Sequence, residues 1–324
     1  MDLLDTWKRA LKAQGKAAST IVNYRTDADW LTFHVAGLES GSVDRESAAR
    51  EARIAHPIED TKRTDIEDFI VASFDRGLAD ATVARRYRSL QQMFGYLEDI
   101  GELSENPMAK MKPPKMGDTE PPIISDDDMA KLLEACAGKL ANGGQRRRIN
   151  LKANKLHEFE VRRDVALVEI LRTTGVRASE LMNLAVADIN LDAQTFRVIG
   201  KGRRIRNIAI PAPAGTAIDR YGLVRRHHKN TEHPAFWLAR KGPLTTSGLA
   251  QMLRRRCADA GIDKINPHAF RHTFAHNAKV HGMSDEDLMS TAGWRSPQML
   301  QRYGRAASEE RAQAALRKMY DGAL

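Results

Sequence analysis

The alternation of apolar and polar residues predicts a helical first third, a proline-rich joint and a longer second part where the period changes once. In "STIVNYRTDADWLTFHVAG", Ile21, Tyr24, Trp30, Leu31 and Val35 recur at helical spacing behind a Ser19 cap. "TDIEDFIVASFDRG" reads as a helix opened by a Thr64-to-Glu67 capping box and stopped at Gly77. "DATVARRYRSLQQMFGYLEDIG" runs from an Asp80 cap to Gly101, with Val83, Tyr87, Leu90, Phe94 and Leu97 on one core stripe. Its other face carries Arg85, Arg86 and Arg88, spaced to lie along a phosphate backbone. Residues 38–60 are polar and aperiodic, and read as a loop or a partly helical insertion.

"NPMAKMKPPKMGDTEPPII" (106–124) holds five prolines without a period and predicts an extended joint. The boundaries that follow are a helical domain at 1–110, a linker at 111–123 and a second domain at 124–324. Ser125 caps a helix with acids in its first turn, and the basic, glycine-containing stretch 142–155 reads as a surface loop. An apolar helix follows at 161–175, stopped by Gly175, and "VRASELMNL" restarts helically. "TFRVIGKGRRIRNIAIP" then shifts to strand-type residues around Gly-Lys-Gly, a β-hairpin with Lys201 at its turn. Helices return at about 246–260, 267–281, 284–291, 297–303 and 308–320. The fold class is mainly α with one small β-sheet in the second domain.

Charge sharpens this division. Residues 1–110 hold 15 basic and 19 acidic side chains, whereas 111–324 hold 36 and 23. A basic part joined to a slightly acidic one fits contact with a polyanion; a solvated basic surface would produce the same excess. Two distant cysteines, Cys136 and Cys257, suit a reducing compartment and allow at most one disulfide. No apolar run is long enough to cross a membrane, and "MDLLDTWKRA" lacks signal-peptide character, so the expectation is a soluble cytoplasmic protein. No HExxH, paired CxxC, Walker loop or GxGxxG after a strand occurs, which removes support for a zinc protease, a P-loop ATPase or a Rossmann enzyme.

What remains is a set of cations and one hydroxyl, each at the end of an element. Arg177 follows the break at Gly175, and Lys201 sits in the hairpin turn. His268 and Arg271 are i,i+3 neighbours on a helix that Asn266 caps and Pro267 starts. Trp294 follows Gly293, and Tyr303 ends the next short helix after Ser296-Pro297. Forked guanidiniums can stabilise the pentavalent transition state of a phosphodiester without a metal.

The ordered series "TGVRASEL", "GKGRR-R-IAIP", "HAFRHTFA" and "GWRSPQMLQRYG" resembles the tyrosine recombinase (phage integrase) family. "RSLQQMFGYLEDIGELSENPM" is similar to the helical, SAM-like core-binding domain that precedes the catalytic domain in that family. The likeness spans nearly the whole chain and is closest to Xer-like or small integrases without an arm-binding domain. It implies site-specific recombination through a 3′-phosphotyrosine link and a Holliday junction, with no metal or nucleotide cofactor. The implied partners are double-stranded DNA bearing a specific site, a homo-tetramer of two dimers, and an accessory directionality factor. The implied location is the cytoplasm, associated with the nucleoid.

Residue by residue, the resemblance makes Arg177 and Arg271 phosphate ligands and His268 a hydrogen-bond donor or general base. Lys201 becomes the acid that protonates the leaving 5′ oxygen, with Arg203 and Arg204 near enough to substitute or to bind DNA. Tyr303 becomes the nucleophile, Glu180 a support that fixes an arginine, and His272 either a supporting or a structural histidine. Position 294 is most often His in the family; Trp can donate one hydrogen bond but cannot shuttle a proton. Tyr320 is the rival nucleophile, although its stripe with Leu316 and Met319 predicts packing. The family's tails dock onto a neighbouring subunit. A type IB topoisomerase and a non-catalytic DNA-binding relative are the alternatives.

Overall fold

Among the described residues, five α-helices fold the first of two compact units, Met1–Thr119 and Glu120–Leu324. The computed structural model describes residues 2–38, 45–115, 117, 121–138, 151–200, 204–294, 296–297, 300, 312–313, 316–317 and 319–320, without the side chains of 45–46 and 151–156. In the first unit these are α1 (Leu3–Ala13), α2 (Ala18–Val35), α3 (Arg45–Ala55), α4 (Arg63–Asp75) and α5 (Asp80–Asp99). The α5 stripe of Val83, Tyr87, Leu90, Phe94 and Leu97 is fully buried, and it meets Leu4, Trp7, Leu31, Ile66 and Phe69.

Two helix starts differ from expectation. α2 begins at Ala18, so Ser19 lies inside its first turn, and no side chain caps it from Ala17. α4 begins at Arg63, where the Asp65 carboxylate accepts from the Lys62 N–H at 2.8 Å; Glu67 instead pairs with Arg63 at 2.7 Å. The polar stretch 38–60 contains α3, whose Ala49 and Ala52 pack against Phe33. Small residues at helical spacing bury a face too weak to stand out as a hydrophobic pattern. The proline-rich joint begins by docking on its own unit: Met108 is buried and Tyr87 Oη donates to the Met111 carbonyl at 2.8 Å.

Arg86 corrects the expected three-arginine DNA face. It is 7% exposed, donates to Ser73 Oγ at 3.0 Å and lies 5.4 Å over the rings of both Trp30 and Phe69. It falls beside Tyr87 on the inner edge of the stripe, so its guanidinium is a core group stabilised by ring faces. Arg85 pairs with the buried Asp27 at 2.5 Å, and Arg88 is exposed.

In the second unit, Ser125 Oγ accepts from Asp128 N–H at 3.1 Å and starts α6 (Asp126–Cys136) as predicted. α7 (Leu151–Thr174) begins ten residues earlier than the apolar pattern suggested, so 151–155 is helix and not loop; residues 142–150 lie outside the described residues. α8 (Ala178–Met182) leads to the strands β1 (Ile189–Asn190), β2 (Thr195–Ile199) and β3 (Ile205–Ala209), an antiparallel sheet in that order. α9 (Ala212–Arg225), not anticipated from the sequence, packs along α7. α10 (Thr246–Ala260), α11 (Pro267–Val280) and α12 (Asp285–Ala292) complete the unit. α7 is the central element, touching α6, α9 and α11, and its Leu167 and Leu171 share a core with Phe196, Trp237, Leu253 and Phe270.

A second, smaller apolar cluster lies under α11 and α12: Ala275, Ala278, Leu288, Ala292, Trp294 and Leu300. Cys136 and Cys257 are both buried free thiols, whose burial pushes each thiol above its ordinary value. Among the described residues no helix is long and apolar enough to cross a membrane. The described tail residues Leu316, Met319 and Tyr320 are exposed, so their stripe does not pack onto the rest of this chain. Tyr320, expected to pack, is 62% exposed.

Candidate active site

Three arginines from three elements meet at the C-terminal end of α12. Arg206 Nε donates to the Thr291 carbonyl at 3.2 Å, Arg271 Nη2 to the Ala292 carbonyl at 2.6 Å, and Arg177 Nη2 to the Gly293 carbonyl at 3.0 Å. The last carbonyls of a helix have no intrahelical partner and carry its negative dipole end, so cations gather there. Gly293 ends the helix at φ +65°, and a Cβ on it would lie 2.9 Å from the Arg206 guanidinium carbon. Glycine is needed here for both reasons.

Each arginine is placed by its own element. Arg177 precedes α8, immediately after Gly175 turns the chain at φ +58°; a Cβ on Gly175 would lie 2.4 Å from the Phe274 ring. Arg271 lies one turn into α11 and is almost wholly buried; its Nη1 donates to the Gly175 carbonyl at 2.9 Å. Its guanidinium also lies 4.7 Å over the Trp294 ring. Trp294 therefore packs between Arg271 and the small apolar cluster that includes Leu300.

Glu180, buried on α8, joins the arginines. Its Oε1 accepts from Arg177 Nη1 at 2.9 Å and Arg206 Nη1 at 3.0 Å; its Oε2 accepts from Arg206 Nη2 at 2.9 Å and the Arg177 N–H at 3.1 Å. Burial raises the carboxyl's proton affinity, but the hydrogen bonds and charges of Arg206 and Arg177 outweigh it and hold Glu180 below the usual carboxylate range. The expectation that Glu180 fixes an arginine meets an arrangement in which it holds two.

Arg206 stands in the "GKGRR-R-IAIP" series but has no role assigned there. The signal was present in the strand alternation: Arg206 shares a face with the buried Ile208, whereas Ile199 and Ile205 point outward and are exposed. An inward arginine on a strand needs hydrogen-bond partners for its charge, and Glu180 supplies a carboxylate for it.

His268 stands on the first turn of α11, where Asn266 Oδ1 accepts from the N–H groups of His268 and Ala269 at 2.9 and 3.0 Å. Its ring meets His272 edge-on at 4.2 Å. Partial desolvation, with the positive charges of Arg271 and Arg177, keeps its imidazole below the usual 6.5. Arg177, Gly200, Arg204, Arg206, Gly293 and Trp294 line an open cleft of about 450 Å³. Arg204 is exposed at the hairpin, where its carbonyl accepts from Gly200 N–H at 2.7 Å. Lys201, Arg203 and Tyr303 lie outside the described residues, as does most of the expected 297–303 helix. Among the described residues no cluster of His, Cys, Asp or Glu could hold a metal.

The comparisons with known proteins agree with this architecture. The phage integrase family matches residues 145–310. Tyrosine recombinase XerC of Erythrobacter litoralis is 30% identical over 280 residues, covering 86% of this chain and 78% of the relative. Tyrosine recombinase XerC of Herpetosiphon aurantiacus is 27% identical over 299 residues, covering 91% and 87%. A solved lambda integrase tetramer bound to a Holliday junction shares the fold at a TM-score of 0.65 with 16% identity, covering 93% of this chain and 76% of that one. The chain belongs to the phage integrase family. It is a tyrosine-type, site-specific DNA recombinase.

Proposed function

We propose that this recombinase cleaves and rejoins duplex DNA through a 3′-phosphotyrosine intermediate and a Holliday junction, without metal or nucleotide. The observation that carries this reading is the convergence of Arg177 and Arg271 on neighbouring carbonyls of the α12 terminus, beside an open cleft. Arg177, the more open of the two, takes the non-bridging oxygens of the scissile phosphate. Arg271 adds positive charge from beneath, where burial strengthens its field. The Tyr303 hydroxyl, deprotonated with help from His268, attacks phosphorus. The bond to the 5′ oxygen breaks and Lys201 protonates it, with Arg203 or Arg204 as substitutes. A 5′ hydroxyl from the partner strand reverses the step, so the phosphodiester energy is kept in the tyrosine ester. Trp294 packs against Arg271, and its indole N–H is the group available to a phosphate oxygen. His272 braces His268 edge-on.

In this reading residues 1–110 form the core-binding domain and grip the duplex, with Arg85 and Arg88 on the outer side of α5. Residues 111–123 link it to the catalytic domain at 124–324. The working assembly is a tetramer on DNA, and the exposed Leu316, Met319 and Tyr320 are its subunit contacts. A directionality factor completes the partner set, and the protein acts in the cytoplasm on the nucleoid.

The test uses duplexes selected from a random pool by the wild-type protein, then nicked near their centre. Cleavage releases a short fragment and leaves a covalent adduct on a denaturing gel. The wild type forms the adduct and Tyr303→Phe does not. An adduct from Tyr303→Phe would overturn the assignment and make Tyr320 the next candidate. Relaxation of a plasmid without any selected site would favour topoisomerase action instead.

A further inference from the structure

Arg206 is the one arginine of the cluster to which neither the sequence motifs nor the cleavage chemistry above gives a task. It sits inward on β3 and spends its donors in two directions. Its two terminal nitrogens form a fork on both oxygens of Glu180, and its Nε holds the Thr291 carbonyl. Glu180 in turn holds Arg177 by side chain and backbone. The strand, α8 and the end of α12 are thereby tied through one guanidinium.

We infer that Arg206 is a positioning residue for cleavage: it balances Glu180, so that the carboxylate can orient Arg177 without cancelling its charge. The inference rests on the proposed reading of Arg177 as a phosphate ligand. Two guanidiniums around one carboxylate leave a net positive charge at the cleft. Without Arg206, Arg177 and Glu180 would form a closed pair, and the cleft would face the phosphate with one cation fewer. In a partly buried setting that difference is felt strongly. The geometry adds a second effect. Arg206 lies against Gly293, where no Cβ intrudes, and so fixes the carbonyl that Arg177 uses as its anchor.

The experiment measures adduct formation on the selected nicked duplex by the full-length protein. Arg206→Ala, Arg206→Lys, Arg177→Ala and the double Arg177→Ala/Arg206→Ala are compared, with duplex affinity and thermal unfolding recorded for each. Arg206→Ala stays folded, binds duplex within about threefold of wild type, and forms adduct roughly 10–100-fold more slowly. The double variant is no slower than Arg177→Ala beyond about twofold, because Arg206 acts through Arg177.

The pH profile gives a readout that a purely structural role would not move. Removing Arg206 takes away a partner that keeps Glu180 ionised, so in a His268→Gln background, where the histidine's own limb is flattened, the acid limb left by Glu180 moves to higher pH. Arg206→Lys keeps the charge and holds that limb near the wild-type position, while restoring the rate only in part because an ammonium cannot fork. An unchanged rate in Arg206→Ala overturns the inference, as does an unmoved acid limb. So do penalties that multiply in the double variant, which would mean that Arg206 touches the DNA itself. No adduct from the wild type would overturn the cleavage reading first, and the inference with it.

Discussion

At the residue scale, Gly293 and His268 control the site in different ways. Gly293 combines a left-handed φ of +65° with an arginine closer than van der Waals contact, 2.9 Å, to where a Cβ would stand. Gly293→Ala should cost about 1–3 kcal/mol through strain and displacement of Arg206. Thermal unfolding reads the first effect, and a slower adduct at unchanged duplex affinity reads the second. His268 has its imidazole held below 6.5 by partial desolvation and by Arg271 and Arg177. It is therefore neutral at pH 7 and able to accept a proton. As pH falls through its depressed value, cleavage at limiting DNA should decline, and His268→Gln should flatten that limb. The sign for stability is the same. The unfolded histidine binds its proton more readily, so this group's contribution is complete above 6.5 and is lost as pH falls toward the folded value.

At the element scale, the ends of helices build the site. α11 starts at Asn266, whose side chain takes two N–H groups and sets the direction of the turn that carries His268. Asn266→Ala should lower stability by about 1 kcal/mol and slow cleavage by more than that loss of folded protein explains. Parallel denaturant titration and adduct kinetics separate the two. α12 ends where three guanidiniums meet, and the chain continues through Trp294 to Leu300, which is buried against the same cluster. Most of this was legible: Asn-Pro, Gly175 and Gly293 announce the element ends on local grounds. α9 was not, because "APAGTAIDRYGLVR" has a weak apolar period and owes its place to packing along α7. Ser19 and Thr64 do not cap their helices, because a competing start lies two residues before each.

At the scale of the whole molecule, the described tail residues leave apolar surface uncovered. Leu316, Met319 and Tyr320 are 57%, 61% and 62% exposed, a cost no short helix recovers alone. Docked on a second copy, they would bury that area. Deleting 308–324 should weaken assembly of paired duplexes more than binding to a single duplex, measured by gel shift at increasing protein concentration. Equal losses in both would show the tail to be part of the single-copy DNA grip. The uneven charge, basic beyond residue 110 and slightly acidic before it, fits a chain whose second part carries the phosphate chemistry.

Helical character, the β-hairpin and the order of Arg177, His268, Arg271 and Trp294 were readable from the sequence, because turn chemistry and apolar period are local properties. The sequence also carried the family likeness, since four short motifs in fixed order need no coordinates. Tertiary structure alone decided which arginine is core and which is site. Arg86 and Arg88 differ by two positions on one helix, yet one lies against Trp30 and Phe69 and the other faces solvent. It decided equally that Arg206 shares Glu180 with Arg177. A charge is settled by the partners brought to it across the fold, and a carboxylate 26 residues away in sequence is invisible to any local pattern.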